Sequence, residues 1–355
     1  MGKPEPMEGT GIVTNMLWAD APSPDWRARV AALVPAQRIR LAERARTAPL
    51  FAHAYAFHLN MRFGGMTPLQ LAEFAGAQGL CGIKLHVDDG EQASLGRMDG
   101  EALTAFAAQL KACGLELHVE TSTTQAPGLA DAVRIALATG ATSLRCYPRY
   151  EGRVSQIIAW TIADLRRLAD FDPQRRLRFT LEQHEDLKSE ELVGIVKAVG
   201  NPRLGLLFDF GNMINAYELP MPALAIQAPC VTDVHVKDCL VQPDRGGWAH
   251  LACLSGKGHL PLQAMFVELL LLGDEQPQVL AFGLEEEEGY FAPALRRPSD
   301  GPDPFIPART ASFTDLGPGD LDLRLRQETI AAHRQVETIR TMLGDIAAEA
   351  ERAEG

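Results

Sequence analysis

Six cysteines are spread over 355 residues with no CxxC spacing among them, which excludes a zinc ribbon and leaves no disulfide framework to read. Scattered thiols of this kind suit a reducing cytoplasm. No apolar run comes near the ~20 residues that span a bilayer. The opening MGKPEPMEGT has no basic stretch leading into an apolar one, so neither membrane insertion nor secretion is expected. Pro6 stands where a myristoylation signal needs Ser or Thr, so no lipid anchor is expected either. Clusters of Lys and Arg interleaved with aromatics are missing as well, and the formal net charge is −12. A nucleic-acid backbone would be repelled by such a chain.

What the sequence does have is apolar material and a rhythm. With 46% hydrophobic residues, the chain can bury one large core or two modest ones. Residues 1–48 read as an N-terminal extension: irregular to residue 22, then helical over 24–47, capped by Ser23-Pro24-Asp25 and interrupted near Pro35. From residue 51 strands and helices alternate. FAHAYAFHLN precedes the helix TPLQLAEFAGAQ, CGIKLHV precedes EALTAFAAQLKACG, LELHVET precedes GLADAVRIALATG, and TSLRCYP precedes SQIIAWTIADLRRLADF. RLRFTLEQH precedes SEELVGIVKAVG, LGLLFDFG precedes MPALAIQA, VTDVHVKD precedes LPLQAMFVELLLLG, and QVLAFGLEE precedes a final long helix across a Pro/Gly-rich loop. Eight such units over residues 49–350 predict a (β/α)8 barrel. An open doubly wound sheet would be expected to carry GxGxxG after its first strand, and that fingerprint is missing.

A barrel of this class places its reactive groups at the carboxyl ends of the strands. Read that way, the ends carry His58 and Asn60, Lys84 and His86, His118 and Glu120, Arg145 and Tyr147, Glu182 and His184, Asp209, His235 and Lys237, and Glu285 and Glu287. In RFTLEQH, Arg178, Thr180, Glu182 and His184 share one face while Phe179 and Leu181 take the other. A polar inner face with an apolar outer face suits a closed barrel with a reactive mouth. Glu182, Asp209, His235 and Glu285 then come together from four successive strands. Three carboxylates cannot stay ionised in a half-buried pocket without a cation. The oxygen-rich donor set with one imidazole suits Mn2+ first, with Mg2+, Co2+, Fe2+ or Zn2+ as substitutes. A lone Glu-x-His or the run EEEE would otherwise be solvated charge; the shared strand phase sets these apart.

LEQHED, SEELVGIVKAVGNPRLGLLFDFGNM, VTDVHVKD and GKGHLPL together resemble the sugar phosphate isomerase/epimerase family of xylose isomerase-like barrels, over residues ~51–290. The resemblance implies metal ligation by Glu182, Asp209, His235 and Glu285, with Glu286, Glu287 and Glu288 as neighbours of the last. It implies an enzyme in which Glu182 and Glu285 move a proton next to the carbonyl of a sugar, ketose or cyclitol. His184 and Lys237 are expected on the substrate side of the metal, with His58, His86, His118, Arg145, Asn212 and Trp248 as further substrate contacts. A leaving group beta to the carbonyl would turn the same carbanion into a lyase reaction, as in a keto-inositol dehydratase or a 3-keto-glycoside cleaving enzyme, which can require a small second subunit. The ketose 3-epimerases carry a histidine where this chain has Asn212, and their arginine after the strand-seven histidine is unmatched in spacing, although Arg245 is near. An abasic-site DNA endonuclease, the remaining relative of this fold, needs that same histidine. The loops 239–259, with Trp248 and His250, and 289–321, with Arg296, Arg297 and Arg309, are expected over the mouth. On the terminal helix, 322–350, Ile330, Val336, Ile339, Leu343 and Ile346 form a stripe that caps the barrel or joins two copies into a dimer.

Overall fold

The computed structural model describes residues 24–287, 289–308 and 320–352; Pro6, Ser23, Glu288 and Arg309, named above, lie outside them. Eight parallel strands close into a barrel: β1 Leu50–His53, β2 Gly82–His86, β3 Glu116–Glu120, β4 Ser143–Cys146, β5 Arg178–Glu182, β6 Leu204–Asp209, β7 Val231–Val236 and β8 Phe282–Leu284. Closure is by β1, which pairs with β2 on one side and β8 on the other. The period of two in each strand decides which side chains face outward. Ile83 and Leu85, Leu117 and Val119, Phe179 and Leu181, Leu206 and Phe208, and Val234 and Val236 all join the apolar core shared with the helices. The alternate residues are Lys84, His118, Glu120, Arg145, Glu182, Asp209, Asp233 and His235, every one buried. Charge therefore fills the barrel, and the apolar core is the layer around it.

The helix Leu321–Arg352 is not an addition outside the repeat. It follows β8 and fills the eighth place in the helical ring: His333 meets Phe74 of the first ring helix at 5.0 Å between rings, and Gln335 donates to the Val236 carbonyl at 2.9 Å. Val336, Ile339, Leu343 and Ile346 are buried there within the chain, whereas Ile330 is 51% exposed and leaves the stripe. Two helices, Trp26–Ala31 and Pro35–Arg46, break at Pro35 as the sequence implies and cover the outside of the ring. Asp25 caps the first, and Arg44 binds the carbonyls of Leu270, Leu272 and Gly273.

Two connections differ from expectation. FAHAYAFHLN is a strand only as far as His53, after which a 3-10 turn Ala54–Phe57 and a short helix His58–Arg62 carry the chain across the mouth. The stretch expected as a loop after β7 is an antiparallel hairpin, Asp238–Asp244 with Gly247–Cys253. Its two-residue turn places Arg245 at φ 47° and Gly246 at φ 80°, the left-handed pair that matches the twist of the flanking strands. The segment after β8 adds Phe291–Ala292 to this hairpin and pairs Phe305–Ile306 with Gly152–Arg153 beyond β4. That segment closes one side of the mouth.

Candidate metal centre and substrate cavity

At the carboxyl ends of β5 to β8 the structure brings Glu182, Asp209, His235 and Glu285 together. Register explains it: Asp209 pairs directly with His235, and Glu285 follows β8 immediately, donating its N–H to the Val236 carbonyl at 2.9 Å. His235 Nδ1 stands 2.6 Å from Glu285 Oε2, 3.4 Å from Glu182 Oε1 and 3.8 Å from Asp209 Oδ2. One ligand atom each from Glu182, Asp209 and His235 fit within 4.8 Å of one another. Glu182 Oε2, Asp209 Oδ2, His235 Nδ1 and Glu285 Oε2 are buried and make no hydrogen bond. Glu182, Asp209 and His235 have the spacing of a three-ligand set for a divalent cation, and Glu285 Oε2, 2.6 Å from His235 Nδ1, stands beside them as a further donor.

Charged and polar groups of the protein hold these side chains in place. His235 Nε2 lies 2.9 Å from Glu120 Oε1, which orients the ring so that Nδ1 faces the other carboxylates. Asp209 Oδ1 accepts the N–H groups of Gly211 and Asn212 at 2.8 and 2.9 Å, so Oδ2 alone is turned inward. Arg145 bridges Glu120 and Glu182, with Nε 3.2 Å from Glu182 Oε2. Lys237 Nζ sits 3.0 Å from Asp209 Oδ2 and 3.5 Å from Glu285 Oε1. His53, hidden in an apolar run of the sequence, completes this support: its Nδ1 accepts the Tyr55 N–H at 2.9 Å and its Nε2 faces Glu120 at 3.0 Å.

Charge is unevenly distributed over the cluster. Burial pushes Asp209 up to about 6, with Lys237 opposing and Glu285 assisting. Burial works against a charged His235, but the Glu285 and Glu120 carboxylates outweigh it and hold the imidazole well above its ordinary value. For Glu285 burial is likewise outweighed, here by Lys237 and His235, and the carboxyl is held well below its usual range.

A cavity of about 1020 Å³ opens above the cluster. His58, Arg145, His184, Asn212 and Lys237 line it, as expected. His184 stacks on Tyr147 with ring centroids 3.8 Å apart and planes at 16°, a flat platform on the cavity wall. Asn212 also braces the mouth, donating from Nδ2 to the Gln183 carbonyl at 3.1 Å. Three expected contacts fall elsewhere. His118 lies one layer lower, between Asp233 at 3.1 Å and Glu116 at 3.3 Å; strand parity fixes the face of a residue but not its depth. His86 stands behind the wall, 3.0 Å from Ser122 Oγ. Trp248 stacks on Tyr217 at 4.2 Å inside the hairpin packing. Of the loop arginines, Arg297 lines the cavity, while Arg296 is buried in a two-pronged pair with Glu191 at 3.0 and 3.1 Å. Tyr147 and Glu287 line it from strand ends and Glu185 from within LEQHED, whereas Tyr55 and Tyr290 are lining groups with no signal in the motifs. Burial and the nearby Glu285 raise Glu287 to about 8, and His58 Nδ1 is 3.6 Å away.

A family model described as xylose isomerase-like TIM barrel matches residues 72–281. The YihM protein of Escherichia coli (strain K12), described as uncharacterized, is 46% identical over 312 residues, covering 88% of this chain and 96% of its own. A 3-oxo-isoapionate decarboxylase of Pectobacterium atrosepticum is 31% identical over 100 residues, which is 28% of this chain and 36% of that protein. Among solved structures, the IOLI protein with a bound zinc atom superposes with a TM-score of 0.57 at 12% identity, covering 82% of this chain and 98% of its own, a likeness of fold. With the barrel closed, the strand order settled and the match spanning most of the strands, the chain belongs to the xylose isomerase-like TIM barrel family.

Proposed function

We propose that the protein is a divalent-metal-dependent enzyme that transfers a proton at a carbon next to the carbonyl of a sugar, ketose or cyclitol. The observation that carries the reading is the buried group of Glu182, Asp209 and His235, each with a ligand atom within 4.8 Å of the others, with Glu285 Oε2 2.6 Å from His235 Nδ1 and with Glu182 and Glu285 lining a polar cavity. Mn2+ is the first choice of ion for this donor set, with Mg2+, Co2+, Fe2+ or Zn2+ as substitutes. When bound, the cation polarises the substrate carbonyl and makes the adjacent C–H more acidic. Glu182 and Glu285 stand on either side of His235 and serve as base and acid. Lys237 holds a substrate oxygen beside them, and the Tyr147–His184 platform carries an apolar face of the sugar.

The 31% identical decarboxylase favours a second reading, a lyase in which the same carbanion forms by loss of a group other than a proton. One experiment covers both. Metal content is measured on the purified protein, and ketoses, keto-inositols and 3-keto-glycosides are incubated in deuterium oxide. One equivalent of divalent metal with deuterium at a carbon next to the carbonyl is expected; a cleaved or decarboxylated product identifies the lyase. Protein without metal that exchanges no deuterium and cleaves nothing refutes both.

A pH dependence of metal uptake follows from His235. Its raised pKa keeps a proton on the ring at neutral pH, and a cation binding Nδ1 displaces it. Affinity should therefore rise with pH through neutrality, with release of about one proton per ion. Calorimetric titration at pH 7 in buffers of different ionisation enthalpy measures that number. Uptake without proton release would contradict the raised His235 pKa.

A further inference from the structure

The proposed metal cluster occupies only the floor of the cavity, and the volume of about 1020 Å³ is at the upper end of the ~300–1,000 Å³ of small-molecule sites. The rim is chemically unlike the floor. Arg62, Arg149, Arg153, Arg245 and Arg297 all line it, in a chain whose formal net charge is −12. They come from the segments after β1, β4, β7 and β8, so the concentration of guanidinium groups is made by the fold and not by a basic run. Arg245 and Arg297 are neighbours: the Arg297 side chain passes beside Gly246 and Gly247 of the hairpin turn.

The carboxylates on the same rim already hold donors of the protein. Asp300 accepts the Arg297 N–H at 2.7 Å. Asp303 accepts Ser155 N–H and Oγ–H at 2.8 and 2.9 Å, and Glu185 accepts the Tyr290 hydroxyl at 2.7 Å. By contrast, among the described residues Arg297 Nε has no hydrogen-bond acceptor, and Arg245 pairs with its sequence neighbour Asp244, at 3.6 Å, with its side chain 71% exposed. Arg297 and Arg245 both line the cavity, so their guanidinium groups stand where a bound anion would lie.

We propose that this outer part of the cavity is an oxyanion subsite, in which Arg245 and Arg297 hold a carboxylate or phosphate carried by the substrate, remote from its reacting carbons. The inference rests on the proposed sugar chemistry and deepens it: the substrate is an acidic carbohydrate and not a neutral one. Guanidinium groups match both oxyanions through paired N–H donors.

The test is calorimetric titration of the full chain, stripped of metal with EDTA so that no cation holds the anion. The probes are inorganic phosphate, D-glucose 6-phosphate, D-gluconate and D-glucose. At least one anion should bind tenfold or more tightly than D-glucose. Arg245→Gln and Arg297→Gln should each weaken that anion about tenfold or more and leave D-glucose unchanged. Preference for the phosphates over gluconate, or the reverse, names the group. Arg245 sits on an exposed turn, so its variant reports on binding even if Arg297→Gln folds poorly. Equal binding of all four probes, or anion binding unchanged in Arg245→Gln and in a folded Arg297→Gln, overturns the proposal. Metal content of the untreated protein is a separate measurement, so failure of the subsite and failure of the metal-centre reading are told apart.

Discussion

Asp209→Ala should leave the protein without its metal and without turnover. Asp209 presents a single inward oxygen because Oδ1 is fixed by the Gly211 and Asn212 N–H groups. No neighbouring carboxylate can replace that oxygen, because Glu182 is drawn to Arg145 and Glu285 to Lys237. The loss in affinity should exceed the ~10–100-fold expected for removing a supporting residue such as Glu120. The same substitution removes one of the two carboxylates beside the buried Lys237. Stability of the metal-free protein should fall by about 3 kcal/mol. Asp209→Asn keeps the volume and separates the two effects. Metal analysis with thermal or denaturant unfolding measures both, and full metal occupancy in Asp209→Ala would remove Asp209 from the site.

Why these four residues could be read from the sequence, and others could not, has a physical cause. Glu182, Asp209 and His235 each close a run of alternating or continuous apolar residues, so strand phase and strand end coincide, and the barrel rule does the rest. Glu285 lies directly after a strand of only three residues, Phe282–Leu284, yet its phase holds. His53 was hidden because its strand stops at once and an apolar turn continues in the same letters. His118 has the right face and the wrong depth: it pairs in register with Lys84 and Ser143, while Glu120, two residues on, reaches the cluster. The hairpin carries its signal in Asp-Arg-Gly-Gly between two alternating strands, while Trp248 and His250 within it look like substrate groups. Both are buried in hairpin contacts, His250 bonding Asn215 at 2.7 Å. The arginine-rich rim has no linear signature at all, since four separate segments build it.

Glu182→Gln and Glu285→Gln should each lower turnover by ~10²–10⁴-fold, the range for loss of a positioned acid or base, once a substrate is in hand. A carboxylate beside a metal is a weak base, and Lys237 and His235 depress Glu285 further. Weak basicity is offset when the donor carbon is held in attack geometry beside it. His184→Ala should act differently. It removes half of the stacked platform with Tyr147, so KM should rise more than kcat falls. Lys237→Met belongs between these cases, because Lys237 touches Asp209 and Glu285 as well as the cavity. Metal content must be measured in every variant, since a lost ligand would imitate a lost base. If both glutamine variants keep metal and turnover, the base lies elsewhere. His58 is then the first candidate, because it alone of His58, His86 and His118 faces the cavity. Burial and Arg62 lower its pKa to about 4, so it would be neutral and able to accept a proton across the physiological range. A kcat/KM profile flat above pH 5 in His58→Gln, with turnover intact, would exclude that role too.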